Sequence, residues 1–186
     1  MKTILLIAAI IVLTTAFARG AAPVARFTAN ALNVGGDQGP VATLVQIDID
    51  RWSTEDEHDK LAGPLATNRQ MEASNILRDL PRIGAIRALD LAGDPIYYAR
   101  TTTTPDRHEH IMAIAIRPLR AFERLITVNM SAYPFSVIEL DVDASGRGTG
   151  TIALGATLTA GPEKPLQAAP DRLVERVRLT SVKRAK

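Results

Sequence analysis

His108-Glu109-His110 places two imidazoles two residues apart, with a carboxylate between them. On an extended strand both rings share one face, the arrangement of some metal sites. The only other histidine is His58, so a third ligand would be His58 or a carboxylate. The segment follows Pro105-Asp106, which reads as a turn, and two exposed hairpin histidines are the competing reading. Asp141-Val142-Asp143-Ala144-Ser145-Gly146 starts like a calcium loop. Such a loop needs a bidentate acid at its twelfth position, and that position is Ile152. No metal site and no cofactor are expected from these segments.

Other chemistries lack their motifs. The chain has no cysteine, hence no thiol nucleophile and no disulfide. No G-x-S-x-G elbow is present. Gly35-Gly36 with Gly39 lacks the lysine and the helix that phosphate cradling needs. Thr101 to Thr104 is explained by β propensity. Asp48 with Asp50, and Glu139 with Asp141 and Asp143, read as acids on wet strand faces. No catalytic residue is assigned.

Trp52, Tyr98 and Arg100 form the candidate ligand-binding set. Aromatic rings at a pocket mouth stack a ligand while the guanidinium holds its anion. In the competing reading Trp52 wedges a helix onto a sheet. Tyr97 and Tyr98 then take opposite strand faces, one in the core and one on the surface.

These residues need elements to position them. The chain has 186 residues, 46% hydrophobic and 23% charged, which favours one globular domain. Residues 1–22 read as a signal peptide: Lys2, an apolar run from Ile4 to Leu13, then Ala16-Phe17-Ala18 or Gly20-Ala21-Ala22 as the cleavage site. The apolar run is better sized for a signal h-region than for a spanning helix, and an uncleaved membrane anchor is the competing reading. Losing residues 1–22 removes Lys2 and Arg19 and leaves 20 basic and 20 acidic residues. The basic character is thus poor evidence for a nucleic-acid partner, and none is expected. Residues 23–182 read as a single β-rich domain and 183–186 as a basic tail.

Within that domain the period is mostly two. Val45, Ile47 and Ile49 alternate with Gln46, Asp48 and Asp50, a half-buried strand. Phe27, Ala29 and Ala31 mark a strand before it, joined across Gly35 to Pro40. Thr54 and Glu57 form a capping-box pattern that opens a helix. Gly63-Pro64 is expected to end it, with a second helix from about Leu65 to Leu80 stopped by Pro81. Strands follow at 83–91, 96–104, 110–117, 135–143, 149–159 and 173–182, with 110–117 apolar on both faces. Pro118 to Arg124 reads as one helical turn. Ile152, Leu154, Ala156 and Leu158 are expected to face inward, and 161–170 to be a loop. The expected fold is mainly β (α+β): about eight antiparallel strands in a barrel or sandwich-like meander, with a helical excursion after strand 2.

Three motifs carry a resemblance: Arg51-Trp52-Ser53-Thr54, Tyr98-Ala99-Arg100, and Tyr133-Pro134-Phe135 leading to Ile138-Glu139-Leu140. With the Gly146 to Gly150 hairpin they resemble a family of exported bacterial proteins of unknown function. The resemblance covers residues 24–160 and implies export and a single domain. It brings no activity, cofactor or catalytic residue. The expected function is an exported, non-enzymatic binding or interaction module, periplasmic or secreted, with no transmembrane span after signal cleavage. Its partner would be a small apolar or anionic ligand, or an envelope protein. The alternative is a small envelope enzyme, hydrolase or lyase, with an acid or His site at a barrel mouth.

Overall fold

The computed structural model describes residues 22–33, 41–88, 92–116, 119, 120, 122, 133–160, 165–169 and 175–185. Residues 1–21 of the expected signal peptide and the expected turn over 35–40 lie outside them. Eight strands close an antiparallel barrel: β1 (Ala25–Asn33), β2 (Val41–Ile49), β3 (Gly84–Ala88), β4 (Asp94–Thr103), β5 (Glu109–Ile116), β6 (Phe135–Val142), β7 (Arg147–Ala156) and β10 (Glu175–Arg184). Each strand pairs with its neighbour in sequence, except that β8 (Leu158–Thr159) and β9 (Gln167–Ala168) form their own hairpin between β7 and β10. Two helices, α1 (Glu55–Ala66) and α2 (Gln70–Asp79), lie between β2 and β3.

Closure resolves the barrel-or-sandwich alternative, and β10 is the closing strand, pairing β7 on one side and β1 on the other. Alternation fills the interior. Phe27 and Ala29 from β1, Ile47 and Ile49 from β2, Ile138 and Leu140 from β6, and Val177 and Leu179 from β10 belong to one buried apolar cluster. Each fully buried Phe, Ile, Leu or Val side chain among them contributes about 1.5–3 kcal/mol. A second buried cluster lies outside the barrel wall. There Leu61 and Leu65 of α1 and Ala73 and Leu77 of α2 meet Ile114, Val137, Ala153 and Leu158. β5 is therefore covered on both sides, which explains its unbroken apolar run.

Two bulges set which side chains face the helices. On β4 the register shifts between Ile96 and Tyr98, so Ile96 points into the barrel and Tyr98 out of it. Tyr97 and Tyr98 both pack on the outer cluster rather than on opposite faces. On β7 the shift is at Gly155, whose φ of 79° is the left-handed region that glycine enters freely. Ile152 and Leu154 face inward as expected, whereas Ala156 and Leu158 lie under the helices. Period-two counting cannot register an extra residue.

Three other expectations change. α1 runs through Gly63-Pro64 and ends at Ala66. The break falls at Thr67-Asn68-Arg69, where Asn68 takes φ 57°. Proline forfeits a single helix hydrogen bond, and here it fills a buried position between Leu61 and Leu65. The 161–170 segment contributes β9 rather than loop alone. Lys183 and Arg184 belong to β10, not to a tail. Arg184 donates to both carboxylate oxygens of Glu109 at 2.9 Å, and its guanidinium sits 5.4 Å from the Phe27 ring.

Candidate functional site

The residues before α1 dock that helix on the barrel. Thr54 caps it: its hydroxyl accepts from the Glu57 N–H at 3.2 Å, and the Glu57 carboxylate accepts from the Thr54 N–H at 2.9 Å. Arg51 clamps the same carboxylate at 2.6 and 2.9 Å. The Arg51 fork, then the capping bonds, hold Glu57 below the usual carboxylate range against the opposing effect of burial.

Three consecutive residues of β4 then meet the start of α1. The Ser53 N–H donates to the Ala99 carbonyl at 2.8 Å, and the Ala99 N–H donates to the Ser53 hydroxyl at 3.0 Å. Nδ1 of His58 is hydrogen-bonded to the Tyr98 hydroxyl at 2.8 Å. The Arg100 guanidinium grips the Glu55 carboxylate in a two-point pair. Burial pushes the Tyr98 phenol up to about 12, with nearby Arg100 pulling the other way. Gln70, at the start of α2, places the next wall. Its amide donates to the Leu158 carbonyl at 2.8 Å and accepts from the Leu158 N–H at 3.0 Å, as a strand neighbour would.

Between these parts lies a pocket of about 290 Å³ on the outer face of the barrel. Tyr98, Arg100 and Thr102 of β4, His110 and Met112 of β5, and Glu139 of β6 line one side. Residues 165–168 of the β9 arm line the other. Met112 and Leu166 are buried and make an apolar floor. His110 Nδ1 stands 2.9 Å from an Asp141 oxygen. The half-buried Glu139 carboxylate has no hydrogen-bond or ion-pair partner among the described residues.

Tyr98 and Arg100 thus come together as the sequence suggested, but Trp52 does not join them. It is half-buried and packs on the barrel-interior cluster, closing an end of the barrel rather than wedging the helix onto the sheet. Helix docking falls to Ser53, Glu55 and His58. Arg100 also differs from the expected anion holder, because its fork is engaged by Glu55.

The histidines disperse. His58 is buried against Tyr98, His110 pairs with Asp141, and exposed His108 has Asp106 at 3.9 Å. Glu109 is held by Arg184. Among the described residues, no group of three or more His, Asp or Glu side chains is placed to share a metal ion. Asp143 caps the β6–β7 turn by accepting from Ser145 and from the Arg147 N–H. Asp48, expected on a wet face, is 5% exposed. It accepts from Arg26 at 2.6 Å, Gln46 at 2.8 Å and Arg87 at 2.9 Å.

Sequence reasoning missed Glu139, Met112 and the residue 165–168 wall. By its alternation Glu139 reads as one acid of a wet face, and residues 165–168 form the facing wall of the pocket. Comparisons with protein-family models, curated proteins and solved structures find no match to the chain.

Proposed function

We propose that this chain is an exported binding module of the bacterial cell envelope, with the outer-face pocket as its ligand site. One observation carries the reading. Tyr98, Arg100 and His110 are each held by a partner, while the Glu139 carboxylate above the Met112 and Leu166 floor has none among the described residues. Fixed walls around one unsatisfied acceptor favour recognition of a shaped ligand. The ligand would place an apolar body on Met112 and Leu166 and a cationic or hydrogen-bond-donating group at Glu139. The barrel interior is taken up by the apolar cluster, which moves the site from the lumen to the outer wall. An apolar interior under a charged exterior is the inverse of a membrane-spanning barrel, in keeping with a module that does not itself span the membrane.

Saturation-transfer NMR with phenethylamine and its carboxylate counterpart, hydrocinnamate, tests the site. The amine should receive saturation from the wild type and lose it in Glu139→Gln and in Leu166→Asp. Silence from both probes, or an amine signal unchanged in both variants, counts against the pocket. Export is tested by intact mass of the soluble chain recovered from periplasm or medium. A mass that begins between residues 19 and 23 is expected, and one retaining residues 1–18 refutes export with cleavage.

The enzyme reading keeps one observation in its favour, the Asp141–His110 pair, because a carboxylate on Nδ1 orients a histidine for general base work. No nucleophilic hydroxyl is hydrogen-bonded to His110 among the described residues. Hydrolysis of p-nitrophenyl acetate that disappears in His110→Ala would move the protein to that class.

A further inference from the structure

The face of the barrel opposite the pocket runs across β7, β10, β1, β2 and β3. Register fixes what it presents. Lys183 of β10 stands between Thr28 of β1 and Arg147 of β7. Arg178 stands between Leu32 and Thr151. Arg176 lies further along the same strand, and Arg26 and Arg87 flank Asp48. Against these cations Asp48 is the sole carboxylate among the described outward side chains of the five strands. It is already shared by two guanidiniums, and Nε of Arg87 is buried without a partner among the described residues. The side chains of Arg147, Arg176, Arg178 and Lys183 are exposed and make no ion pair among the described residues.

Unneutralised cations on one face repel one another and are relieved by an anionic partner. Apolar groups are set among them. Leu44 is 39% exposed, and half-buried Leu32 lies between Arg178 and exposed Ala42. Nucleic acid fits poorly, because the described outward residues here include no aromatic ring on which a base could stack. Cations interleaved with exposed aliphatic groups match a surface that is anionic at its headgroups and apolar just beneath.

We propose that the β10–β1–β2 face docks on an anionic lipid bilayer. The proposal stands independently of the pocket reading. Co-sedimentation with large vesicles of phosphatidylcholine and phosphatidylglycerol tests it, using the full chain as purified with the same N-terminus in every variant. At low salt the wild type should pellet with anionic vesicles, remain in solution with pure phosphatidylcholine, and be released by about 0.5 M salt. Arg176→Glu/Arg178→Glu/Lys183→Glu changes exposed positions only and should lower partitioning at least about 30-fold. Lys60→Glu/Arg78→Glu/Arg107→Glu, an equal charge change away from this face, should stay within about twofold of wild type. Leu44→Ser should lower partitioning about fivefold without altering the salt dependence. The proposal is overturned if the wild type does not bind anionic vesicles, or if the two triple variants fall equally. It is also overturned if Leu44→Ser changes nothing, which would assign the face to a soluble polyanion.

Discussion

The phenol oxygen of Tyr98 lies 2.8 Å from Nδ1 of His58, forty residues earlier in the chain, and both side chains are withdrawn from solvent. With Ser53–Ala99 and Glu55–Arg100 on either side, this contact fastens α1 to β4 beneath the pocket. Tyr98→Phe leaves the buried His58 nitrogen unpaired and should destabilise the fold by about 1–3 kcal/mol. Urea midpoints of Tyr98→Phe, His58→Phe and the double variant measure it. Additive losses would show that the two groups are not coupled.

The same phenol sets a high-pH limb. Its ionisation is pushed up to about 12 in the fold, against about 10 for free tyrosine. The neutral form belongs to the folded state, so this contribution is complete below about pH 10. It falls as pH rises toward about 12, by at most about 1.4 kcal/mol per pH unit. Thermal unfolding between those values should show a decline that Tyr98→Phe lacks. Parallel curves for the two proteins would contradict it.

Glu57 provides the acid limb. Arg51 and the Thr54 cap hold its carboxyl down, so its contribution is full above the ordinary glutamate value and fades as pH falls through the lower folded value. Glu57→Gln should lose about 1–3 kcal/mol near neutral pH. The gap from wild type should close in acid. A gap that persists undiminished at about pH 2 would assign the loss to packing instead.

Glycines 63 and 148 should respond in opposite directions to alanine. A Cβ on Gly148 would stand 1.7 Å from the Asp141 carbonyl oxygen, so β6 and β7 must separate. The expected loss is about 3 kcal/mol or more. A Cβ on Gly63 meets nothing within 4 Å, and the residue lies inside α1. Gly63→Ala should gain about 0.5–1 kcal/mol. Melting temperatures of the two variants decide, and a neutral Gly148→Ala would refute the close strand approach.

Trp52 is the only tryptophan, so its emission reports one end of the barrel. A half-buried ring packed on the interior cluster should emit between the buried and free extremes. Trp52→Ala should lose about 2–3 kcal/mol, short of the range for a fully buried ring. A loss below about 1 kcal/mol would detach Trp52 from the core.

Strand identity was open to sequence reading wherever one face is apolar and the other polar, as at Val45, Ile47 and Ile49. The α1 start was equally open, because Thr54 and Glu57 act locally. What escaped was settled by distant parts of the chain. Asp48 looks solvated until Arg26 and Arg87 arrive from adjacent strands. Gly63-Pro64 looks like a helix end until Pro64 is seen buried inside α1. The Tyr97 and Gly155 bulges move residues between faces with no compositional mark at Tyr97. One wall of the pocket comes from residues 165–168, where the Gln167-Ala168 sequence of β9 carries no strand signal.

The seam between β1 and β10 also bears on how the chain reaches its folded state. Thr180 donates to the Asn30 carbonyl across 150 residues of sequence, and no local pairing can stand in for that contact. A chain emerging from its N-terminus can zip β1 through β7 as a meander, but the sheet keeps two unsatisfied edges until residues 175–184 arrive. Wall closure is then a late, high-contact-order event, expected to be slow relative to hairpin formation. During that interval the open edges of β1 and β7 are templates for pairing with another chain. Loss of the last strand would therefore leave a sheet prone to self-association, not merely a weaker barrel, and the ten residues of β10 guard everything made before them against it.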